Sequence, residues 1–371
     1  MIHTILKTDG SARFGLLKLG HCDVETPVFM PCGTRGVVKS LDVEDLKKLG
    51  FDIILGNTYH LFLKPGIEVI DELGGLHKFI SWDRNLLTDS GGYQIFSLMK
   101  FRKIVEEGIN FSSHIDGSKH FMSPEIAIEA QRSLGSDIVM CFDECPPHTY
   151  TKKESEISLT RTLRWGKRCK SVILNSHQCL FGIIQGGMFG DLREFSAAKT
   201  VEIGFDGYAI GGLSVGESKE CMYEMLKHSL KELPFDKPRY LMGVGDPVDI
   251  LEGVEMGVDM FDCVMPTRIA RHGLLYTYSG KLNIKNLKFE RDKNPIERSC
   301  KCPVCQKYSR AFLRHLFKVG EHTVSRLLTL HNLFFMNDFM RRIRKAIKMN
   351  CFNDFKASFL RSFYSNDVNK T

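Results

Sequence analysis

Two groups of residues in this chain have the types and spacing to do chemistry. The first is Cys300-Lys-Cys302-Pro-Val-Cys305, followed at a distance by a lone His331. Three thiolates and an imidazole close the shell of a four-coordinate ion, which is the ligand set of a structural zinc and leaves no open position for a reaction. Chemistry must then come from the second group, the carboxylates Asp89 (in DSGGYQ), Asp143 (in CFDEC) and Asp262 (in MFDC). Three carboxylates without a catalytic metal suit glycosidic-bond chemistry, in which one attacks C1′ and another manages protons. Asp143, Gln185 and neighbouring glycine amides suit a purine edge. A carboxylate accepts from guanine N1–H and its 2-amino group, while backbone N–H groups donate to O6 and N7. Taken singly, each aspartate could as well cap a helix; only their joint placement carries the reading.

That placement depends on the elements. Short apolar, β-rich runs recur at 27–31, 52–57, 86–92, 137–144, 181–187, 207–213, 239–245 and 258–263, each ending in Gly or polar residues. Helix-like text lies between them. Ser123–Leu134 opens Ser-Pro-Glu, a cap followed by proline at the first helical position. The stretches 154–170, 192–203, 219–231 and 247–256 read likewise. Eight strand–helix alternations predict an α/β fold, a (β/α)8 TIM barrel, because buried parallel strands read as continuous apolar runs. An open doubly wound sheet is the runner-up, disfavoured because no Gly-rich dinucleotide fingerprint follows the first strand. Barrel active sites form at the C-terminal strand ends, where Asp89, Asp143, Gln185, Gly211-Gly212-Leu213, Met242 and Asp262 all fall. Hairpins are expected at Asp116-Gly117, at Ser279-Gly280 and near Phe14–Val24, the last covering the barrel's N-terminal end. The cysteines follow the eighth strand. The predicted organisation is therefore one barrel domain, residues 1–371, with a zinc-binding subdomain inserted at about 290–340.

Composition agrees with a nucleic-acid partner. The formal net charge is +7, but residues 281–371 hold 20 Lys and Arg against 7 Asp and Glu, so the rest of the chain is net acidic. A basic quarter is the electrostatic footprint of polyanion binding, although a solvated tail gives the same count. Arg310–Lys318 is the stretch best placed for phosphates; Arg341–Lys348 reads equally as a solvated helix face or a backbone contact. Twelve cysteines in 371 residues do not make a disulfide framework, and the first residues lack the roughly 7–15-residue apolar stretch of a secretion signal. No run nears the about 18 apolar residues of a membrane span. Reduced thiols and a cytoplasmic location are the expectation.

The motifs DSGGYQ (89–94), CFDECPP (141–147), QGG (185–187), GGLSVGE (211–217) and MPTRIARHG (265–273), with the Cys–His quartet, resemble tRNA-guanine transglycosylases, the queuine tRNA-ribosyltransferase family, in its bacterial form. The resemblance runs in order along nearly the whole chain. It implies exchange of guanine at the wobble position of G-U-N tRNAs by double displacement, with Asp262 as nucleophile and Asp89 as general acid/base. Ser90, Gly91, Gly92, Asp143, Gln185, Gly212 and Leu213 would bind the base, with Tyr93 and Met242 against its faces. Gly243, Val244, Gly245, Asp246, Pro247, Val248 and Asp249, and Thr267, Arg268, Ile269, Ala270 and Arg271, would meet the anticodon. His331 takes the fourth place on one structural Zn2+ mainly through this family match. The chain departs from the family pattern at Ile269 and His272, where asparagine is usual, and in Ser214 for alanine. Val215 and Cys145 match bacterial members, which implies preQ1 (7-aminomethyl-7-deazaguanine) as the incoming base, with a queuine-salvaging transglycosylase as the alternative. The family often forms homodimers, so the resemblance implies a homodimer here. A non-catalytic partner subunit is disfavoured by the intact Asp89 and Asp262. An archaeal-type enzyme of the tRNA elbow is disfavoured by length, and a zinc hydrolase by the closed ligand set. His60, His114, His120 and His148 read as scaffold or surface.

Overall fold

The eight apolar runs pair into a closed parallel barrel. In a computed structural model that describes residues 2–98 and 102–365, the strands are β1 Val28–Gly33, β2 Ile53–Gly56, β3 Asn85–Thr88 and β4 Ile138–Met140. They continue as β5 Cys179–Ile184, β6 Gly207–Ile210, β7 Arg239–Leu241 and β8 Met260–Cys263. Each bonds to its sequence neighbour, and β8 closes on β1 with Met260 opposite Val28 and Asp262 opposite Met30. The interior is a buried layer that includes Met30, Leu55, Leu87, Ile138, Phe181, Tyr240 and Met260. Helices between the strands begin where side chains can cap them. Ser123 accepts from Ile126 N–H ahead of Pro124–Leu134, and Thr151 forms a reciprocal capping box with Glu154 ahead of Lys152–Ser171.

The three expected hairpins are present, two of them enlarged. Strands Ile109–Ser112 and Lys119–Met122 flank Asp116-Gly117 and gain Arg102–Ile104 as a third strand. Leu274–Thr277 and Gly280–Asn283 form the second. Ala12–Lys18 and Asp23–Thr26 form the third, extended by His3–Asp9, and place Leu17 and Val24 against the barrel's interior layer. This sheet closes the N-terminal end. In its turn, His21 Nδ1 lies 2.7 Å from Asp137 Oδ1, and His77 Nε2 lies 3.4 Å from Oδ2. These three side chains are close enough to surround an ion. The imidazoles, however, stack with planes 18° apart, so their in-plane lone pairs run side by side rather than converging. The group acts as a hydrogen-bonded clamp.

Beyond β8 the chain makes helix Met265–Arg271, the Leu274–Asn283 hairpin, the cysteine knuckle and helix Arg310–Lys318, then returns along a 26-residue helix, Thr323–Lys348. The long helix packs on β1 and on helix Val43–Leu49, so it completes the barrel's outer ring as well as carrying His331. The basic run 341–348 has a use that neither sequence reading named. Arg344 and Lys348 pair with Glu25 of the N-terminal sheet, Lys348 lies 3.9 Å from the centre of the Phe14 ring, and Arg341 and Arg342 pair with Asp338. The run fastens helix to sheet. Arg310 and Arg314 are likewise tied down, to Asp292 and Glu290.

Candidate active site and metal centre

Asp89, Asp143 and Asp262 stand at the ends of β3, β4 and β8, all buried to 8% exposure or less. Asp89 accepts from the Thr58 amide at 2.9 Å, from the Gln94 side chain at 2.8 Å and from Asn57 Nδ2. Burial still pushes its pKa up to about 6, against these three donors and with help from the charge of Asp262. Asp143 accepts from Gln185 Nε2 at 2.7 Å and from Ser90 Oγ at 3.4 Å. Burial raises it to about 6 as well, with Asp89 adding to the effect. Asp262 is also raised by burial, opposed by the Gly243 amide, Tyr240 and Cys32. Every donor named here is neutral. Carboxylates held without a cation resist ionisation, which is how a site keeps acids and bases poised near neutral pH.

The two oxygens of Asp262 differ. Oδ1 accepts from the Tyr240 hydroxyl at 2.5 Å and the Gly243 N–H at 2.8 Å, whereas among the described residues Oδ2 meets only the Cys32 thiol at 3.3 Å. A thiol is a weak donor, so Oδ2 keeps the more available lone pairs of the two.

The base-binding residues expected from sequence gather around this mouth. Ser90 and Gly92 adjoin Asp143: a Cβ on Gly92 would come within 2.8 Å of the Asp143 carbonyl oxygen. Gly91 takes φ +81° and lies against the Tyr59 backbone. Tyr93 is 51% exposed at the rim, and Met242 packs against the interior layer. Gly212 (φ +66°) leaves room for Gln185, whose Oε1 a Cβ there would approach to 2.4 Å. Leu213 is buried behind it, and that Gln185 Oε1 has no partner of its own. Of the anticodon segments, Gly243 and Arg268 are exposed, and Asp246, Val248, Ile269 and Arg271 are half-buried. Val244, Gly245, Pro247, Asp249, Thr267 and Ala270 are buried. Asp246 caps helix Pro247–Glu255 and pairs with Lys281; Asp249 pairs with Lys219 and Tyr223.

Sequence reasoning missed Asn57, Thr58, Cys32 and Tyr240. Asn57 and Cys32 end or follow barrel strands and were readable in principle by the strand-end rule. Tyr240 sits inside β7 and had no such signal.

A second cluster lies outside the barrel. Cys300, Cys302, Cys305 and His331 are all buried, with the three Sγ atoms 3.9, 3.5 and 3.4 Å from His331 Nδ1. A tetrahedral ion bound at ordinary zinc distances separates S and N ligands by about 3.6 Å. His331 Nε2 lies 2.8 Å from the Tyr276 carbonyl, which fixes that nitrogen as the N–H and frees Nδ1 as ligand. The group can bind a metal ion and fits zinc.

The chain matches the family model described as Queuine tRNA-ribosyltransferase over residues 8–365. It belongs to the queuine tRNA-ribosyltransferase family. Relatives carrying that name include those of Caldanaerobacter subterraneus subsp. tengcongensis, 52% identical over 367 residues and 98% of each chain, and of Natranaerobius thermophilus, 54% identical over 357 residues and 96% of each. That of Francisella tularensis subsp. novicida is 52% identical over 359 residues, 97% of this chain and 98% of its own. The closed barrel and the C-terminal Cys–His cluster are those expected of a queuine tRNA-ribosyltransferase. Among the described residues no helix is long and apolar enough to cross a membrane.

Proposed function

We propose that this chain is a tRNA-guanine transglycosylase that replaces guanine at wobble position 34 of G-U-N tRNAs with preQ1. The observation that carries the reading is the trio of buried carboxylates at one barrel mouth, none paired with a cation among the described residues. The target nucleotide turns out of the anticodon loop into the pocket. Asp262 Oδ2 attacks C1′; the C1′–N9 bond breaks, and its electron pair leaves with guanine, which takes a proton from Asp89. The result is a covalent tRNA ester of Asp262. Incoming preQ1 then loses its N9 proton to Asp89 and attacks C1′, releasing the Asp262 carboxylate. Two displacements retain configuration at that carbon. A pKa of about 6 suits Asp89 to giving and taking this proton in turn.

Asp143 and Gln185, with the amides at Gly212 and Leu213, read the purine edge, while Tyr93 and Met242 bound its faces. Anticodon contact is narrowed to the exposed and half-buried members of the two segments: Gly243, Asp246, Val248, Arg268, Ile269 and Arg271. One Zn2+ would occupy the Cys300, Cys302, Cys305 and His331 set and hold the inserted subdomain, about 290–340, to the single barrel domain. A cytoplasmic homodimer completes the reading. Exchange of radiolabelled guanine into unmodified G-U-N tRNA tests it, with preQ1 and queuine as competitors. Incorporation blocked by preQ1 supports the proposal. Blockage by queuine alone makes it a salvage enzyme, and no incorporation by folded protein makes it a non-catalytic partner.

A further inference from the structure

Arg193, on helix Gly190–Ile203, is fully buried, and each of its acceptors among the described residues is a main-chain carbonyl. Nε donates to Gly187 at 2.9 Å, Nη1 to Gly211 at 2.8 Å and to Ile184 at 3.5 Å, and Nη2 to Gly212 at 3.3 Å. A guanidinium desolvated without a carboxylate beside it is costly. Its donors reach the last carbonyl of β5, the turn after Gln185 and the turn after β6. Both turns need glycine to fit around it. Gly186 adopts φ +139° with Arg193 N only 2.9 Å from where a Cβ would stand, and Gly212 adopts φ +66°.

The consequence follows from peptide planarity. In a trans peptide the C=O and the next N–H point in opposite directions. With the Gly211 and Gly212 carbonyls drawn inward onto Arg193, the N–H groups of Gly212 and Leu213 must face the other way. A cation on each carbonyl also polarises the peptide and strengthens its N–H as a donor. We propose that Arg193 is a positioning residue for base recognition, fixing the Gly212 and Leu213 amides toward the O6 edge of the purine. This rests on the transglycosylase reading above.

The test compares guanine with 2-aminopurine, which lacks O6, as competitors of guanine exchange in wild type, Arg193→Lys and Arg193→Gln. Lysine keeps the charge but cannot fork between two loops. The inhibition constant for guanine should rise about 10–100-fold in both variants, as two oriented hydrogen bonds weaken, while that for 2-aminopurine changes about threefold or less. A merely structural role would move both ligands together, so an unchanged guanine to 2-aminopurine ratio overturns the inference. Failure of both variants to fold, judged by melting, overturns it too, because Arg193 would then serve stability. Absence of guanine exchange in wild type is a different result and sinks the transglycosylase reading itself.

Discussion

Strands β4 and β8 each carry an aspartate at both ends, and the two ends of the barrel treat them oppositely. At the N-terminal face Asp137 accepts from the Leu86 amide at 2.8 Å and faces two imidazoles, while Asp259 is gripped by Arg13 through Nε at 3.0 Å and through Nη2. Burial opposes ionisation of Asp137, yet its hydrogen bonds with His77, Leu86 and His21 hold its pKa below the ordinary value. At the C-terminal face the donors that Asp143 and Asp262 meet among the described residues are all neutral, and burial pushes both carboxyls up. The same residue, three to six positions along the same strand, is a fastener at one end and, on the proposed reading, a base-recognition or catalytic group at the other. What separates the two ends is the presence of a cationic or ionisable base, since all four carboxylates are buried.

Removing one aspartate from each end of β8 should break this comparison most sharply. Asp262→Ala is expected to lower base exchange by about 10⁴-fold or more and to give no covalent tRNA adduct on a denaturing gel, with little change in melting. Asp259→Ala should instead cost about 3–5 kcal/mol of stability by stranding the buried Arg13 charge, with adduct still formed by the folded fraction. An adduct from Asp262→Ala would move the nucleophile elsewhere; an Asp259→Ala protein as stable as wild type would erase the distinction.

Metal removal extends the comparison to a third cluster, the Cys300, Cys302, Cys305 and His331 quartet, in which a bound ion would replace both cationic side chains and protons. Stripping the metal should lower Tm by about 10 °C or more. The effect should reach the active site. Asn332, next to His331, donates to the Pro266 carbonyl at 2.9 Å and accepts from the Tyr276 amide at 3.0 Å, so it holds the segment following Asp262. Unchanged melting of metal-free protein would rule out a structural ion.

How much of this was legible depended on whether a residue's position announced its environment. The eight strands were visible because parallel strands buried on both faces must be continuously apolar, and strand-end aspartates were visible because nothing apolar explains them. The tie between the 341–348 run and Glu25 was not, since the two lie over 300 residues apart in the chain and no local pattern joins them. Tyr240 was hidden for a different reason. A tyrosine within a barrel strand packs like any large apolar residue, and only the closed barrel aims its hydroxyl at Asp262. The N-terminal clamp was equally unreadable, because Asp137 looks no different in sequence from Asp143.

A pH series on β4 sharpens the contrast at lower cost to the fold. A carboxylate whose folded pKa is raised from 3.8 to about 6 binds more protons folded than unfolded between those values, so its charge penalises the fold increasingly as pH rises through that window. Asp143→Asn should therefore raise stability by about 1–3 kcal/mol at pH 7.5 and by much less at pH 4.5, while weakening base selection. Asp137 has the opposite sign: its stabilisation is present above the unfolded pKa and lost as pH falls through its lower folded one. Asp137→Asn should destabilise at pH 7.5. Melting curves for both variants at the two pH values decide it, and parallel behaviour would mean that the two ends do not differ in kind.

The smallest expected effect concerns one donor. Asp262 Oδ1 is held by Tyr240 and Gly243, and Oδ2 only by the Cys32 thiol. A hydroxyl at that position would be a stronger donor to the carboxylate, and this stabilisation is surrendered as charge leaves Oδ2 in the attack on C1′. Cys32→Ser should slow adduct formation by about 3–30-fold in single-turnover measurements, and Cys32→Ala should leave it near wild type or slightly faster. If the alanine variant is instead the slower of the two, Oδ2 depends on the thiol for its orientation, and its weak hydrogen bonding is not the source of its reactivity.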